Sequence, residues 1–236
     1  MAAYRFYSKD RSQNLFQLFF GWGFVSFLCA HFAYAVPVDT KSYDPICGVE
    51  VKVAGKILVI GWDTPEGAME LALNLSGQGA LVRSVAVASG KGKPVEVIRD
   101  INPVTVLTVG QRDLNKRSGW TIFFDRTSRK PSESGLLTLK LKSVIVRSLG
   151  KRCMIDLGEL QGKSFSGKLR FTIYAGCDLI HLQSIVQTKL DARALLYHAG
   201  LNCDPTGKTV SWIGLDDKLH QVSADMQPAE PEKVRH

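Results

Sequence analysis

An all-β fold of packed antiparallel sheets is what this chain predicts, and three observations carry the prediction. Apolar and polar residues alternate with a period of two, most cleanly in Leu137-Thr138-Leu139-Lys140-Leu141-Lys142 and again in Leu169-Arg170-Phe171-Thr172-Ile173. Each of these segments therefore has one buried and one wet face. Strand-like segments recur roughly every 10 to 15 residues with turn residues between them. No apolar stripe of period 3.6 and helix length separates them, so the crossover helices of a parallel sheet are missing and an antiparallel β-sandwich is expected.

Taken in order, the expected strands begin with Val49 to Val53, Lys56 to Trp62, Leu71 to Leu75, Leu81 to Ala88, Val95 to Ile98 and Val104 to Val109. They continue with Trp120 to Phe124, Leu136 to Arg147, Arg152 to Leu157, Gly167 to Tyr174, Leu179 to Lys189, Arg193 to Ala199 and Val210 to Ile213. The punctuation agrees. Ser89 to Pro94, Ser118-Gly119, Ser132 to Gly135, Gly162 to Gly167 and Asp204 to Gly207 supply positive φ or a proline-fixed φ, and read as turns. One stretch, Pro65 to Leu73, has a helical start, with Asp63 or Thr64 as cap and Pro65 in the first turn. The alternation of Leu71-Ala72-Leu73-Asn74-Leu75 favours a short turn feeding a strand there instead.

Both ends of the chain differ from this body. Arg5, Lys9 and Arg11 precede the uncharged run Leu15 to Ala35, which closes on Ala33-Tyr34-Ala35. A basic start, an apolar core and a small-residue exit are the parts of a secretory signal peptide, with cleavage expected after Ala35. The alternative is retention as a membrane anchor, since 21 uncharged residues are long enough to cross a bilayer of about 30 Å. A membrane is a partner only in that second case. Asp225 to His236 is polar, with Pro228 and Pro231, and reads as a tail. The expected division is thus 1–35 leader, 36–224 β-sandwich, 225–236 tail, and the expected address is secreted or periplasmic.

Without the leader the chain carries 27 basic and 21 acidic residues. The resulting net charge of about +6 is mild, and Lys and Arg are scattered, so no nucleic-acid partner is expected. A mild positive field suits an anionic polysaccharide or a lipid surface. About 200 residues suffice for one core without covalent staples. Four cysteines follow the leader, Cys47, Cys153, Cys177 and Cys203, at spacings that match no zinc pattern. An oxidising compartment permits pairing in three connectivities. Cys177 with Cys203 is the favoured pair, because their flanking segments both read as strands of one region.

No phosphate loop, His-Glu-x-x-His pair or Gly-x-Ser-x-Gly elbow occurs. No metal or cofactor is expected. His181 and His198 are the histidines outside the leader and the polar end; His198 follows Tyr197 and stands near Asp191 and Arg193. Acid–base work on a glycosidic bond needs two carboxylates about 5–9.5 Å apart, and Asp125, Glu159, Asp178 and Asp191 are candidates without a pairing by spacing. The segment Trp120-Thr121-Ile122-Phe123-Phe124-Asp125-Arg126 sets an acid and a base at the end of an aromatic strand. Sugar sites place aromatic faces beside a few polar groups, and Trp62, Trp120 and Trp212 are available. The candidate ligand-binding set is therefore Trp120, Asp125, Arg126, Asp191, Arg193, Tyr197 and His198.

The run Phe165 to Ile180, with its Tyr174-Ala175-Gly176 turn, followed by Gln187-Thr188-Lys189 and Leu195 to Leu201, resembles the β-rich N-terminal domain of large secreted bacterial proteins. These are similar to exo-acting rhamnogalacturonan lyases and to the galactose-mutarotase-like supersandwich. The resemblance covers about residues 95–210 and rests on strand and turn texture. It implies a supersandwich-like fold and a place beside a catalytic domain, while the acid and base of a mutarotase match no motif of this chain. The expectation is a carbohydrate-associated domain, non-catalytic alone, that binds polysaccharide or packs on a neighbouring catalytic domain. The alternatives are a polysaccharide lyase or sugar epimerase drawing on Asp125, Asp191, Tyr197 and His198, and a structural envelope protein.

Overall fold

The computed structural model describes residues 36–90, 92–111, 132–204 and 209–223. All belong to one unit, Tyr34–His236. In chain order its strands are β1 (Val38–Ser42), β2 (Val49–Ala54), β3 (Ile57–Thr64), β4 (Gly67–Asn74), β5 (Val82–Ser89), β6 (Val95–Gln111) and β7 (Ser132–Leu136). They continue with β8 (Thr138–Leu149), β9 (Arg152–Gly162), β10 (Phe165–Tyr174), β11 (Ile180–Gln187), β12 (Arg193–Asn202), β13 (Thr209–Ile213) and β14 (Leu219–Ser223). Among the described residues the single helical element is the three-residue 3₁₀ turn Pro45–Cys47.

Two large sheets make the sandwich, and neither closes into a barrel. One has the order β1-β8-β9-β10-β11; the other runs β12-β6-β5-β4-β3-β2, with β7 also paired to β6. The hairpin β13-β14 is a separate two-stranded sheet. The all-β expectation therefore holds, with one exception to the antiparallel rule, because β1 runs parallel to β8. Leu58, Ile60, Trp62, Leu71 and Leu73 from the larger sheet share one buried cluster with Val144, Val146, Ile155, Leu157, Leu169, Phe171 and Ile173 from the smaller. Each such side chain contributes about 1.5–3 kcal/mol by leaving water. The alternation expected at Leu169, Phe171 and Ile173 points these three inward.

Several expected boundaries move. Val95 to Ile98 and Val104 to Val109 belong to one 17-residue strand, β6. Asp100, at φ 53°, marks where that strand changes partner, from β5 up to Ile101 to β12 from Asn102 onward. Ser132 to Gly135, expected as a turn, is instead the edge strand β7, held by its ladder to β6 and by a 2.6 Å hydroxyl contact between Ser134 and Thr108. The Gly162 to Gly167 turn shrinks to Lys163-Ser164, both at positive φ. Strands β1 and β14 were not anticipated, because short exposed strands bury little and leave no periodic apolar signal. At Pro65-Glu66 a two-residue turn feeds β4, as the alternation favoured over a helix. The strand Trp120 to Phe124, the leader and the tail lie outside the described residues.

Candidate functional site

Of the candidate set, Trp120, Asp125 and Arg126 lie outside the described residues. Asp191 is exposed in the bend before β12. Along β12 the alternation puts Arg193 and Tyr197 on one face and His198 on the other, opposite Leu107 and Val106 respectively. Tyr197 is 69% exposed and stands clear of the core. The structure thus keeps Tyr197 and His198 apart as partners, and the strand they occupy is the edge of its sheet.

The tryptophans divide. Trp62 is a core residue, its indole Nε1 donating to the carbonyl of Cys177 at 2.8 Å. Trp212, on the hairpin, is 39% exposed and stacks on His220, with ring centroids 5.4 Å apart. Asp216 holds that imidazole at 2.8 Å, a contact that lowers the Asp216 carboxyl from its ordinary range. Cys47 and Cys153 are buried in the core, and Cys177 and Cys203 are half-buried. Of the favoured pair, Cys177 follows β10 of the smaller sheet and Cys203 follows β12 of the larger.

The most organised polar group on the molecule is one that sequence reasoning passed over. Asp156 sits in mid-strand on β9, between the buried Ile155 and Leu157, so alternation turns its side chain to the outer face of the five-stranded sheet. It is nevertheless only 3% exposed. Three cations cover it. Arg147 Nη2 donates to its Oδ2 at 2.6 Å, Lys168 Nζ to the same oxygen at 2.7 Å, and Arg170 reaches Oδ1 through Nε at 2.5 Å and Oδ2 through Nη2 at 3.0 Å. Register explains the convergence: Arg170 faces Asp156 directly across the β9–β10 ladder, Lys168 stands two residues along the same face, and Arg147 approaches from β8.

Burial on its own would raise the Asp156 carboxyl, but the hydrogen bonds and charges of Arg170 and Lys168 outweigh it and hold the group at about 2. One cation is enough to neutralise a buried carboxylate. Three leave an excess of two positive charges on the outer face, where Arg147 and Lys168 each keep more than a third of the side chain exposed and open to an anion. One donor is left over as well: Arg147 Nε is buried and has no acceptor among the described residues. Beside the cluster the pairing steps over Glu159 on both flanks of β9, a bulge that re-aims Glu159 onto Lys142 at 2.8 Å.

The outer face of the larger sheet differs. Glu50, Gly61 and Glu70 form one row across β2, β3 and β4, so the two glutamates stand about 10 Å apart, two strand spacings, over a glycine floor. With Asp63, Ala68 and Ala86 they line an open cleft of about 470 Å³. Lys52 pairs with Glu50 at 2.8 Å.

Among the described residues no group of three or more His, Cys, Asp and Glu is placed to hold a metal, and no helix is long and apolar enough to cross a membrane. Comparison with protein-family models, curated proteins and solved structures finds no match.

Proposed function

We propose that this chain is an exported β-sandwich domain that binds an anionic glycan, with the outer face of the five-stranded sheet as its contact surface. The observation that carries the reading is the two-charge excess of Arg147, Lys168 and Arg170 over Asp156, set on the outer face of the five-stranded sheet. A carboxylate or sulfate on a polymer meets donors already held in place, so little side-chain entropy is lost on binding. A sheet face also matches an extended chain, and Lys140 with Lys163 borders a shallow groove further along the same sheet. Affinity electrophoresis of the purified protein tests it. Migration should be retarded in gels containing polygalacturonate and unchanged in gels containing a neutral galactan. Equal migration in both would remove the reading and leave the structural envelope protein in first place.

Packing on a neighbouring catalytic domain is the second reading. It is supported by Leu195, Tyr197 and Leu201, three exposed apolar side chains on one face of β12. Hydroxyl-radical footprinting of the protein in its native secreted setting, against the isolated chain, should protect Tyr197 under this reading and leave it labelled under the first.

A further inference from the structure

We propose that Cys47 and Cys153 close a disulfide as the exported chain folds, tying the 3₁₀ turn before β2 to the β8–β9 ladder of the facing sheet. A chain of hydrogen bonds places them together. Cys47 N donates to Asp44 O at 3.2 Å, and that same carbonyl accepts Ser148 Oγ at 3.0 Å, while Asp44 N donates back to Ser148 Oγ at 3.0 Å. Ser148 faces Cys153 across the β8–β9 ladder. Both thiols are buried in one core cluster, which spans the two sheets. The turn is pinned from the other side: Gly48, at φ 80°, lies so close to Ala175 that a Cβ there would meet the alanine methyl at 2.9 Å.

In the bond-forming step the two thiols give up two protons and two electrons to an external disulfide, such as an oxidising dithiol protein or oxidised glutathione, which leaves as two thiols. Timing follows from burial. Desolvation, with the nearby Cys47 adding to it, pushes the Cys153 thiol up to about 12, so the folded protein offers almost no thiolate there. The exchange therefore belongs to folding, before the core closes.

The test is refolding of the reduced, denatured full chain in a glutathione redox buffer, followed by alkylation and non-reducing peptide mapping. The expected product links the Cys47 peptide to the Cys153 peptide and leaves Cys177 and Cys203 alkylated. It should melt about 10 °C above its reduced form, as expected for a cross-link closing a loop of about 100 residues. Cys47→Ser should remove that difference. Alkylation of both Cys47 and Cys153 after refolding, or linkage of either to Cys177 or Cys203, would overturn the proposal. A bond formed in the buffer yet missing from protein recovered from cells would overturn its export half alone. Neither result bears on glycan binding.

Discussion

The two outer faces of this sandwich obey the same alternation and end with opposite chemistry. On the five-stranded sheet a carboxylate, Asp156, is sunk beneath three cations that converge on it from two neighbouring strands. On the larger sheet Glu50 and Glu70 stand apart across Gly61, and Lys52 pairs with the outer of the two. The difference teaches where a charged sheet surface becomes a site. Long exposed side chains over small floor residues are screened by salt and free to move. A charge held at a buried hub keeps its geometry and its sign.

The comparison requires that both faces be outer faces, and the largest expected effect tests that. Phe171→Asp should abolish cooperative unfolding in circular dichroism, because an unpaired charge at a buried position costs several kcal/mol against a total stability of about 5–15. A folded, soluble variant would reverse the face assignment of β10 and with it the site.

Next in size is the hub itself. Asp156→Ala leaves Arg147, Lys168 and Arg170 crowded around a partly buried position, and should cost about 3–5 kcal/mol in denaturant unfolding. Glu70→Ala, on the other face, should change stability by no more than about 0.5 kcal/mol. Equal costs would erase the contrast between the faces.

A smaller effect sharpens it through pH. The folded Asp156 carboxyl is held at about 2, below the unfolded value of 3.8, so its contribution is fully present above pH 4 and is lost as pH falls through 2. The amount is about 2 kcal/mol. Acid titration of stability should show this loss between about pH 4 and pH 2, and Asp156→Asn should flatten that segment of the curve.

Much of the fold was legible from local pattern, because alternation at Leu169, Phe171 and Ile173 and the paired signals along β8 and β9 record a buried face directly. What escaped had no such record. β7 is built from Ser132, Glu133, Ser134 and Gly135, turn-like residues that pair only because β6 offers a free edge. The site escaped for a related reason. Lys168 and Arg170 alternate with Leu169 and Phe171 as any solvated face would, and their convergence depends on the register that sets Arg170 opposite Asp156. One signal was present: an acid in mid-strand between Ile155 and Leu157 needs cationic partners if it is buried. Of the residues expected to form the site, Asp191, Arg193, Tyr197 and His198 cluster in sequence near β12, where adjacency in the chain puts Tyr197 and His198 on opposite faces.

The claim that the cationic face binds a polyanion is tested most directly by removing its charge excess while keeping its hub. Arg147→Gln combined with Lys168→Gln leaves Arg170 and Asp156 as a neutral, doubly hydrogen-bonded pair. The melting temperature should stay within about 4 °C of the parent protein. Affinity for polygalacturonate at low salt should fall at least about tenfold and its dependence on salt should flatten, while Lys52→Gln on the opposite face should leave both unchanged. Unaltered affinity in the double variant, or an equal loss in Lys52→Gln, would contradict the account.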